Sequence, residues 1–445
     1  MSTLAPTLQM AAAGSSDNVF TFWPRHNEAI YKRLESKHAW LEERHRPDRY
    51  EDDADPLEND MILNIGPQHP ATHGVLRCAV KLDGELIERC VLDVGYLHRG
   101  IEKLAESKTY QEYMPYTDRM DYLAPYMNNV AWCLSVEKIA NIEVPERALW
   151  VRTMMCELAR ISSHLLWMGV GLMDAGAVSV FLWAFEQREN LYKIFDEVAG
   201  ARFTVSHSRI GGLASDLTPT ALKLIDEFAT NFPDVVRGWQ KLLNRNRIWI
   251  DRNEGVGVLT KEEVLELGLT GPMLRASGVA HDIRRFEPYL KYEDVDFNIP
   301  MRTEGDCLAR YFIRMEEMLE SAKIIRQCLD RLPDGPIRTD DAKKAYPSKD
   351  EVYYSMEGMI HDFVYTFEGI TPPKGAHAYH AVESPKGELG FYITSDGTGH
   401  PWRVRMNAPS YTNLQGLEYM LEGAVIGDMV VLIGTVDPVM GECDK

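Results

Sequence analysis

The stretch "GPQHPATHG", Gly66–Gly74, places two histidines at i, i+4 spacing, with a proline between them and a glycine at each end. H-E-x-x-H metalloproteases share that spacing, but they need a helix to bring both rings to one face and the intervening Glu as a base. Here Pro70 follows the first His, Gly66 and Pro67 precede it, and no Glu lies between the two. Pro70 can open a helix, but the segment is too short and too closely bounded by glycine to continue one. The stretch therefore predicts a rigid loop at the end of a strand, Met61–Ile65. Such a loop either projects one or both imidazoles into a cavity or spends them on backbone hydrogen bonds.

Working outward, Leu76, Cys78, Val80 and Leu82 alternate with Arg77, Ala79 and Lys81, and Asp83-Gly84 marks a hairpin turn, so residues 61–98 read as β structure. Two long helical seams follow. Met154, Leu158, Ile161, Leu165, Met168 and Leu172 step by four and three, as do Leu308, Tyr311, Met315, Met318, Ala322, Ile325 and Leu329. The Pro-rich, charged stretch 331–351 ends the helical part. "AHAYHAVE", "ELGFYITS" and "HPWRVRMN" then read as strands joined by the turns "SPKG" and "DGTG". The apolar run "MVVLIGTV" from Met429 has the length of a buried strand. The fold class is α+β, with a central helical bundle flanked by N- and C-terminal β-containing regions. The expected divisions are an extension at 1–60, an α+β region carrying the histidine loop at 61–135, the bundle at 136–335 and a C-terminal β-containing region at 336–445. The extension, a charged helix and an acidic linker, reads as a solvated tail or a strap on a partner.

The chain has 445 residues with 45% hydrophobic and 26% charged content, which are globular values. A formal net charge of −19 argues against nucleic-acid binding, which needs clustered Lys and Arg. No apolar run reaches the roughly 18 to 20 residues of a membrane span, and the N-terminus lacks the charged and apolar regions of a secretory signal. The seven cysteines include no C-x-x-C pair, so they point to reduced, buried thiols rather than a zinc or iron–sulfur motif in this chain. The expectation is a soluble, cytoplasmic chain without a metal of its own.

"GYLHRGIEK" and "TYQEYMPYTDRMDYLAPY" follow the histidine loop and crowd Tyr, Arg, Asp and His around turns. A His and a Tyr hydroxyl can donate protons or hydrogen bonds to a carbonyl oxygen near neutral pH. Neither G-x-x-x-x-G-K-S/T nor G-x-G-x-x-G after a strand occurs, so nucleotide signatures are missing. His164, beside Glu157 and Arg160 on the polar edge of the first seam, reads as part of a buried hydrogen-bond network. Glu383 and Lys386 flank the "SPKG" turn beside the terminal motif, where they are placed to link the C-terminal segment to the cavity.

From Met61 to the last residue the chain resembles the quinone-site family of respiratory complex I, the D subunits of proton-pumping NADH:quinone oxidoreductase. The segments that carry the resemblance include "NIGPQHPATHGVLR", "GYLHRGIEKL", "DRMDYL", "ELARISSHLLWMG", "RIGGL", "LTGPMLRASGV", "SMEGMIHDF", "ESPKGELGFYITSDG" and "DPVMGECDK". That family is similar in turn to the large subunit of nickel–iron hydrogenases, which gives the rival reading of a metalloenzyme. Hydrogenases hold the metals with two C-x-x-C motifs. At the matching positions stand Asp121 and Ala124, then Val439 and Glu442, while Cys443 is one residue out of register. Without thiolates the nickel–iron site is lost. A non-catalytic scaffold of a related complex is the other alternative.

The resemblance implies a cavity for a quinone headgroup, ubiquinone or menaquinone, with the quinone carbonyl between His73 and Tyr122. It pairs His73 with Asp174 at the end of the following long helix, and a carboxylate partner favours imidazolium. It assigns the terminal 4Fe–4S cluster to the B subunit of the complex and places Arg99 and Arg119 near that cluster, as cationic stabilisers or as interface salt bridges. The C and I subunits and the membrane-embedded H subunit are the other implied partners, with the chain peripheral to the cytoplasmic side of the inner membrane. One position departs from the pattern: many members carry His directly after "GARF", where this chain has Thr204, with His207 three residues on as a possible substitute. Thr does not titrate, so reduction of the neighbouring cluster is expected to be nearly independent of pH. Redox titration of the assembled complex at several pH values tests this, and a slope of about 59 mV per pH unit would contradict it.

Overall fold

The computed structural model describes residues 61–341 and 344–445, so the 1–60 extension lies outside the described residues. The chain opens with three antiparallel strands, β1 (Met61–Ile65), β2 (Arg77–Asp83) and β3 (Leu86–Asp93), in the order β1-β2-β3. Leu76, Cys78, Val80 and Leu82 are buried as the alternation requires, and Gly84 turns the β2–β3 hairpin at φ 62°. Helix α1 (Pro125–Ala140) starts on a proline, which tolerates the first helical turn because its missing N–H would have no partner there. It is buried along nearly its whole length and packs on the C-terminal sheet.

Four long helices form the centre: α2 (Glu146–Asp174), α3 (Val178–Ala199), α4 (Pro219–Leu243) and α5 (Cys307–Arg331). Each packs on two others in a ring, α2 on α3, α3 on α4, α4 on α5 and α5 on α2. All six seam residues of α2 are buried, and so are Tyr311, Met315, Met318, Ala322 and Ile325 of α5. The polar side of α2 is buried as well. Arg152, Glu157, Arg160 and His164 are all shielded from solvent, because α2 is enclosed on every side and its polar residues find partners on the elements around it. His164 meets Glu317 of α5 at 2.7 Å, and Arg275 bridges Glu317 and Glu383 at 2.7 Å each. This is the network expected around His164.

Beyond the bundle come α6 (Met356–Phe367) and a second antiparallel sheet, β4 (His377–Ser384), β5 (Gly387–Ser395) and β6 (Pro401–Asn407), at the positions the turns predict. The chain ends in α7 (Pro409–Leu421), α8 (Ile426–Val436) and α9 (Met440–Cys443). One expectation is overturned here: "MVVLIGTV" is not a strand but the body of α8. A short continuous apolar run does not distinguish a buried strand from a buried helix. Here Met429, Leu432, Ile433 and Val436 bury the helical face against α2 and α5. The mixed helix-and-sheet architecture is the α+β class read from the sequence, and among the described residues no helix is long and apolar enough to cross a membrane.

Candidate functional site

The loop after β1 answers the question its two histidines raise. Pro70–Thr72 form one 3-10 turn, with His69 as its N-cap and His73 as its C-cap. His69 spends Nδ1 on the Ala71 backbone N–H at 3.2 Å, and its ring stays exposed. Thr72 ties the turn by donating to the His69 carbonyl at 2.7 Å. His73 takes the left-handed conformation, φ 51°, which is uncommon outside glycine although His visits it more than most residues. That turn points His73 inward, where Nε2 lies 2.9 Å from Asp174 Oδ2. Asp174 is the last residue of α2, so a carboxylate and the negative end of a long helix both face the imidazole.

Helix α8 forms the surface under His73. Gly434 lies next to the ring, since a Cβ there would meet Cε1 at a contact distance of 3.6 Å, and Trp167 of α2 donates to the Gly434 carbonyl at 2.7 Å. The chain then runs through Asp437 to α9, which packs on the turn Arg119–Tyr122. A Cβ on Gly441 would fall 2.3 Å from the Met120 carbonyl oxygen and 3.2 Å from Tyr122 Cδ1. Met440 touches Gly74 of the histidine loop. His73 and Tyr122 therefore both lie beside one C-terminal segment, His73 at Gly434 and Tyr122 at Gly441. The Tyr122 hydroxyl makes no hydrogen bond among the described residues, and burial, with a contribution from Asp121, raises its pKa above the ordinary phenol value.

Arg99 donates to the Arg119 carbonyl at 2.9 Å and to the Gly441 carbonyl, so it clamps the turn to α9, and burial lowers its pKa. The Arg119 guanidinium is exposed, donates to the Pro115 carbonyl at 2.7 Å and lies 3.6 Å from Asp118. Ser206 donates to that same Asp118, which brings the segment with the half-buried Thr204 to the same turn. His207 does not substitute for a titrating side chain there. It is 1% exposed, its Nε2 donates to the Ser215 carbonyl at 2.8 Å, and Nδ1 lies 3.3 Å from the Tyr126 hydroxyl. Burial pulls its pKa down to about 4, so the ring is neutral at physiological pH.

Sequence reasoning named Asp121 and Glu442 only as positions lacking a thiolate, and Lys386 only as a linker. The structure gathers them. Lys386 Nζ lies 3.2 Å from Asp121 and 3.5 Å from Asp437, and all are buried. An ammonium thus stands beside Asp121, one of the positions that a metal pair would need, and through Asp437 it links the "SPKG" turn to the C-terminal segment. Two surface cavities, of 620 and 800 Å³, lie elsewhere, and neither includes His73, Tyr122 or Asp174.

The arrangement is that of an α+β chain in which a His–Asp pair and a half-buried Tyr both lie beside one C-terminal segment. Residues 174–445 match the family model described as "Respiratory-chain NADH dehydrogenase, 49 Kd subunit". The NADH-quinone oxidoreductase D subunit of Salinibacter ruber is 71% identical over 434 residues, 96% of each chain. The first of the numbered D subunits of Chloroherpeton thalassium is 59% identical over 418 residues, covering 94% of this chain and 93% of that one. The D subunit of Geotalea uraniireducens is 48% identical over 385 residues, covering 86% of this chain and 98% of that one. The chain belongs to the family of respiratory-chain NADH dehydrogenase 49 Kd subunits.

The close approach of α9 to the turn has a direct test. Gly441→Ala forces the helix away from the Met120 and Arg119 carbonyls and is expected to cost about 1–3 kcal/mol. Thermal unfolding should show an earlier transition, and limited proteolysis should show a C-terminus that is cut faster. A variant that melts and digests like the parent would contradict the contact.

Proposed function

We propose that this component of an NADH:quinone oxidoreductase forms one wall of the quinone-reduction cavity of a proton-translocating complex I. The observation that carries the reading is the 2.9 Å His73–Asp174 pair beside a C-terminal segment that also approaches Tyr122. Quinone reduction consumes two electrons and two protons. His73 and Tyr122 are the donors: the imidazolium gives its proton to one quinone oxygen and the phenol gives its proton to the other. As His73 loses its charge, Asp174 is left as an unbalanced carboxylate at the end of α2, and this is the event we assign to the start of the conformational change that drives pumping.

The electrons come from a partner, the B subunit with its 4Fe–4S cluster. The exposed Arg119 and the clamped Arg99 face that partner, where their positive charge stabilises the reduced cluster. With Thr204 at the neighbouring position and His207 neutral and buried, the potential of the cluster carries little pH dependence. Val178 and Leu182, exposed at i, i+4 on the first turns of α3 directly after Asp174, are suited to burial against a partner near the cavity mouth. We assign that partner to the membrane-embedded H subunit, which supplies the entry for the quinone tail, whether ubiquinone or menaquinone. The C and I subunits complete the peripheral arm, so the chain sits on the cytoplasmic side of the inner membrane without entering it. The hydrogenase-like alternative loses its basis in the donor set: Asp121, Ala124, Val439 and Glu442 stand in place of four thiolates, and Asp121 faces the Lys386 ammonium.

Replacing the proposed proton donor tests this assignment. Tyr122→Phe keeps the ring and removes only the hydroxyl, so the complex should assemble with its flavin and iron content unchanged. NADH:quinone reductase activity in membranes should fall roughly 100-fold, the loss expected for a missing general acid. Parental turnover in that variant would remove Tyr122 from the chemistry.

A further inference from the structure

Helix α6 turns its apolar face outward. Only Gly358 and Tyr365 of its 12 residues are buried, and the helical repeat puts these two on one side. Met356, Met359, Ile360, Phe363, Val364 and Phe367 fall on the opposite side and all are exposed, Met356 at 67%, Phe363 at 57% and Phe367 at 71%. A surface helix ordinarily turns its apolar stripe toward the core, so α6 is the wrong way round for a chain that stands alone. Tyr353 and Tyr354, at the end of the short helix Lys349–Tyr354 just before it, are strongly exposed as well.

The inner side does not account for this pattern. Tyr365 stands between two cavities: it lines the one of 800 Å³ together with Asp362, and one of 390 Å³ together with His361, Val364 and Glu368. Its hydroxyl donates to the Lys344 carbonyl at 3.2 Å, and its ring meets Tyr346 edge-on. Ser355 caps the helix by accepting from the Gly358 N–H at 3.1 Å. The helix is therefore formed by its own cap and fastened chiefly through one side chain, while its apolar residues face away from the fold. A contiguous apolar face of this size marks a contact with another protein or with a membrane.

The charges on its borders decide between them. From Lys349 to Glu368 the chain carries five carboxylates, Asp350, Glu351, Glu357, Asp362 and Glu368, against one lysine, Lys349. On the helix, Glu357 and Glu368 border the apolar face on one side and Asp362 on the other. Helices that lie on an anionic membrane carry Lys and Arg along that border, so lipid is the wrong occupant. A second copy would set identical acidic borders against each other, on a chain whose net charge is already −19. What fits is an apolar ridge bordered by Lys and Arg. The chain belongs to a family of respiratory-complex subunits, so a neighbouring subunit is the source.

We propose that the outward face of α6 docks another subunit of the same complex, one that presents an apolar ridge flanked by Lys and Arg. Phe363 and Phe367, stacked with centroids 6.1 Å apart, form the rigid centre of the contact, because aromatic anchors carry most of the energy of such interfaces. Met356 and Met359 fill the irregular space beside them, as flexible thioethers do. Glu357 and Glu368 on one border and Asp362 on the other receive the cations of the partner and so fix its orientation. The helix offers about 18 Å of ridge, enough for three turns of a partner helix. None of this depends on the chemistry assigned to His73 and Tyr122.

The test uses the complete complex in its membranes, with a photoreactive amino acid in place of Met359. Irradiation should join that position to one other subunit, at an apolar residue with Lys or Arg within about one helical turn. Crosslinks to lipid, to a second copy of this chain, to its own residues 1–60 or to a segment without Lys and Arg would overturn the proposal, as would no crosslink at all. Variants give a second readout. Phe363→Glu keeps the side chain outward but sets a charge at the centre of the contact, so the yield of intact complex, read by native mass, should fall ~10-fold or more. Phe363→Leu should assemble nearly as the parent does. Reversing the border with Glu357→Lys and Glu368→Lys together should also lower the yield, and an unchanged or higher yield would overturn the basic partner. Quinone reduction per assembled Phe363→Glu complex should stay parental. Parental assembly of Phe363→Glu would overturn the docking face and leave the quinone site standing.

Discussion

The pairing of His73 with Asp174 joins a nine-residue loop to the end of the longest helix in the described chain, across 101 positions of sequence. The two side chains are only 8% and 11% exposed, so their charges are poorly screened by water and each depends on the other. The rest of the architecture serves to hold that pair in place. The 3-10 turn aims His73, the length of α2 delivers Asp174, and α8 runs under the imidazole at Gly434. A change of charge on the loop is therefore felt at the end of a bundle helix. On the proposed function, that is the physical link between chemistry at a quinone and motion elsewhere in the complex.

Stiffness behind the pair comes from an ionic core. Glu157 is held by Arg160 and Arg284 at 3.2 Å each, by the Tyr292 hydroxyl at 2.6 Å and by Ser321, while Arg284 turns its other nitrogens to Asp282. Arg314 reaches the Thr435 carbonyl at 2.8 Å and so fastens α8 to α5. Such pairs add little net stability compared with a well-packed apolar core, but losing one partner costs about 3–5 kcal/mol because the other charge is then buried alone. Interlocking pairs of this kind favour one arrangement of the four bundle helices and penalise others. A site assembled from β1, α2, the turn before α1 and the C-terminus needs such a frame.

Much of this was legible in the residues, for reasons that differ from element to element. The strand alternation around Cys78 and the steps of α2 and α5 follow directly from side-chain periodicity. The loop reading of "GPQHPATHG" followed from Pro70 and the bounding glycines. The roles proposed for His73, Asp174 and Tyr122 came through resemblance, as did the His73–Asp174 contact, since nothing local in "GLMDAGA" says that its Asp meets a histidine 101 residues upstream. Two features were not legible. The helix α8 has a sequence apolar enough to serve in either kind of buried element, and only its packing against α2 and α5 decides. The Lys386 cluster combines residues from three distant segments, and its only trace in sequence was that Asp121 and Glu442 occupy positions where thiolates would be needed to hold a metal pair.

The central claim is that a quinone headgroup binds between His73 and Tyr122. A photoreactive quinone analogue, crosslinked in the intact complex and mapped by peptide mass analysis, tests it most directly. The account predicts label on the peptides carrying His73 and Tyr122, displaced by excess unlabelled quinone. Displaceable label absent from both peptides and found instead at another apolar cavity, such as the one lined by Met114, Ile210, Leu213 and Tyr365, would contradict it.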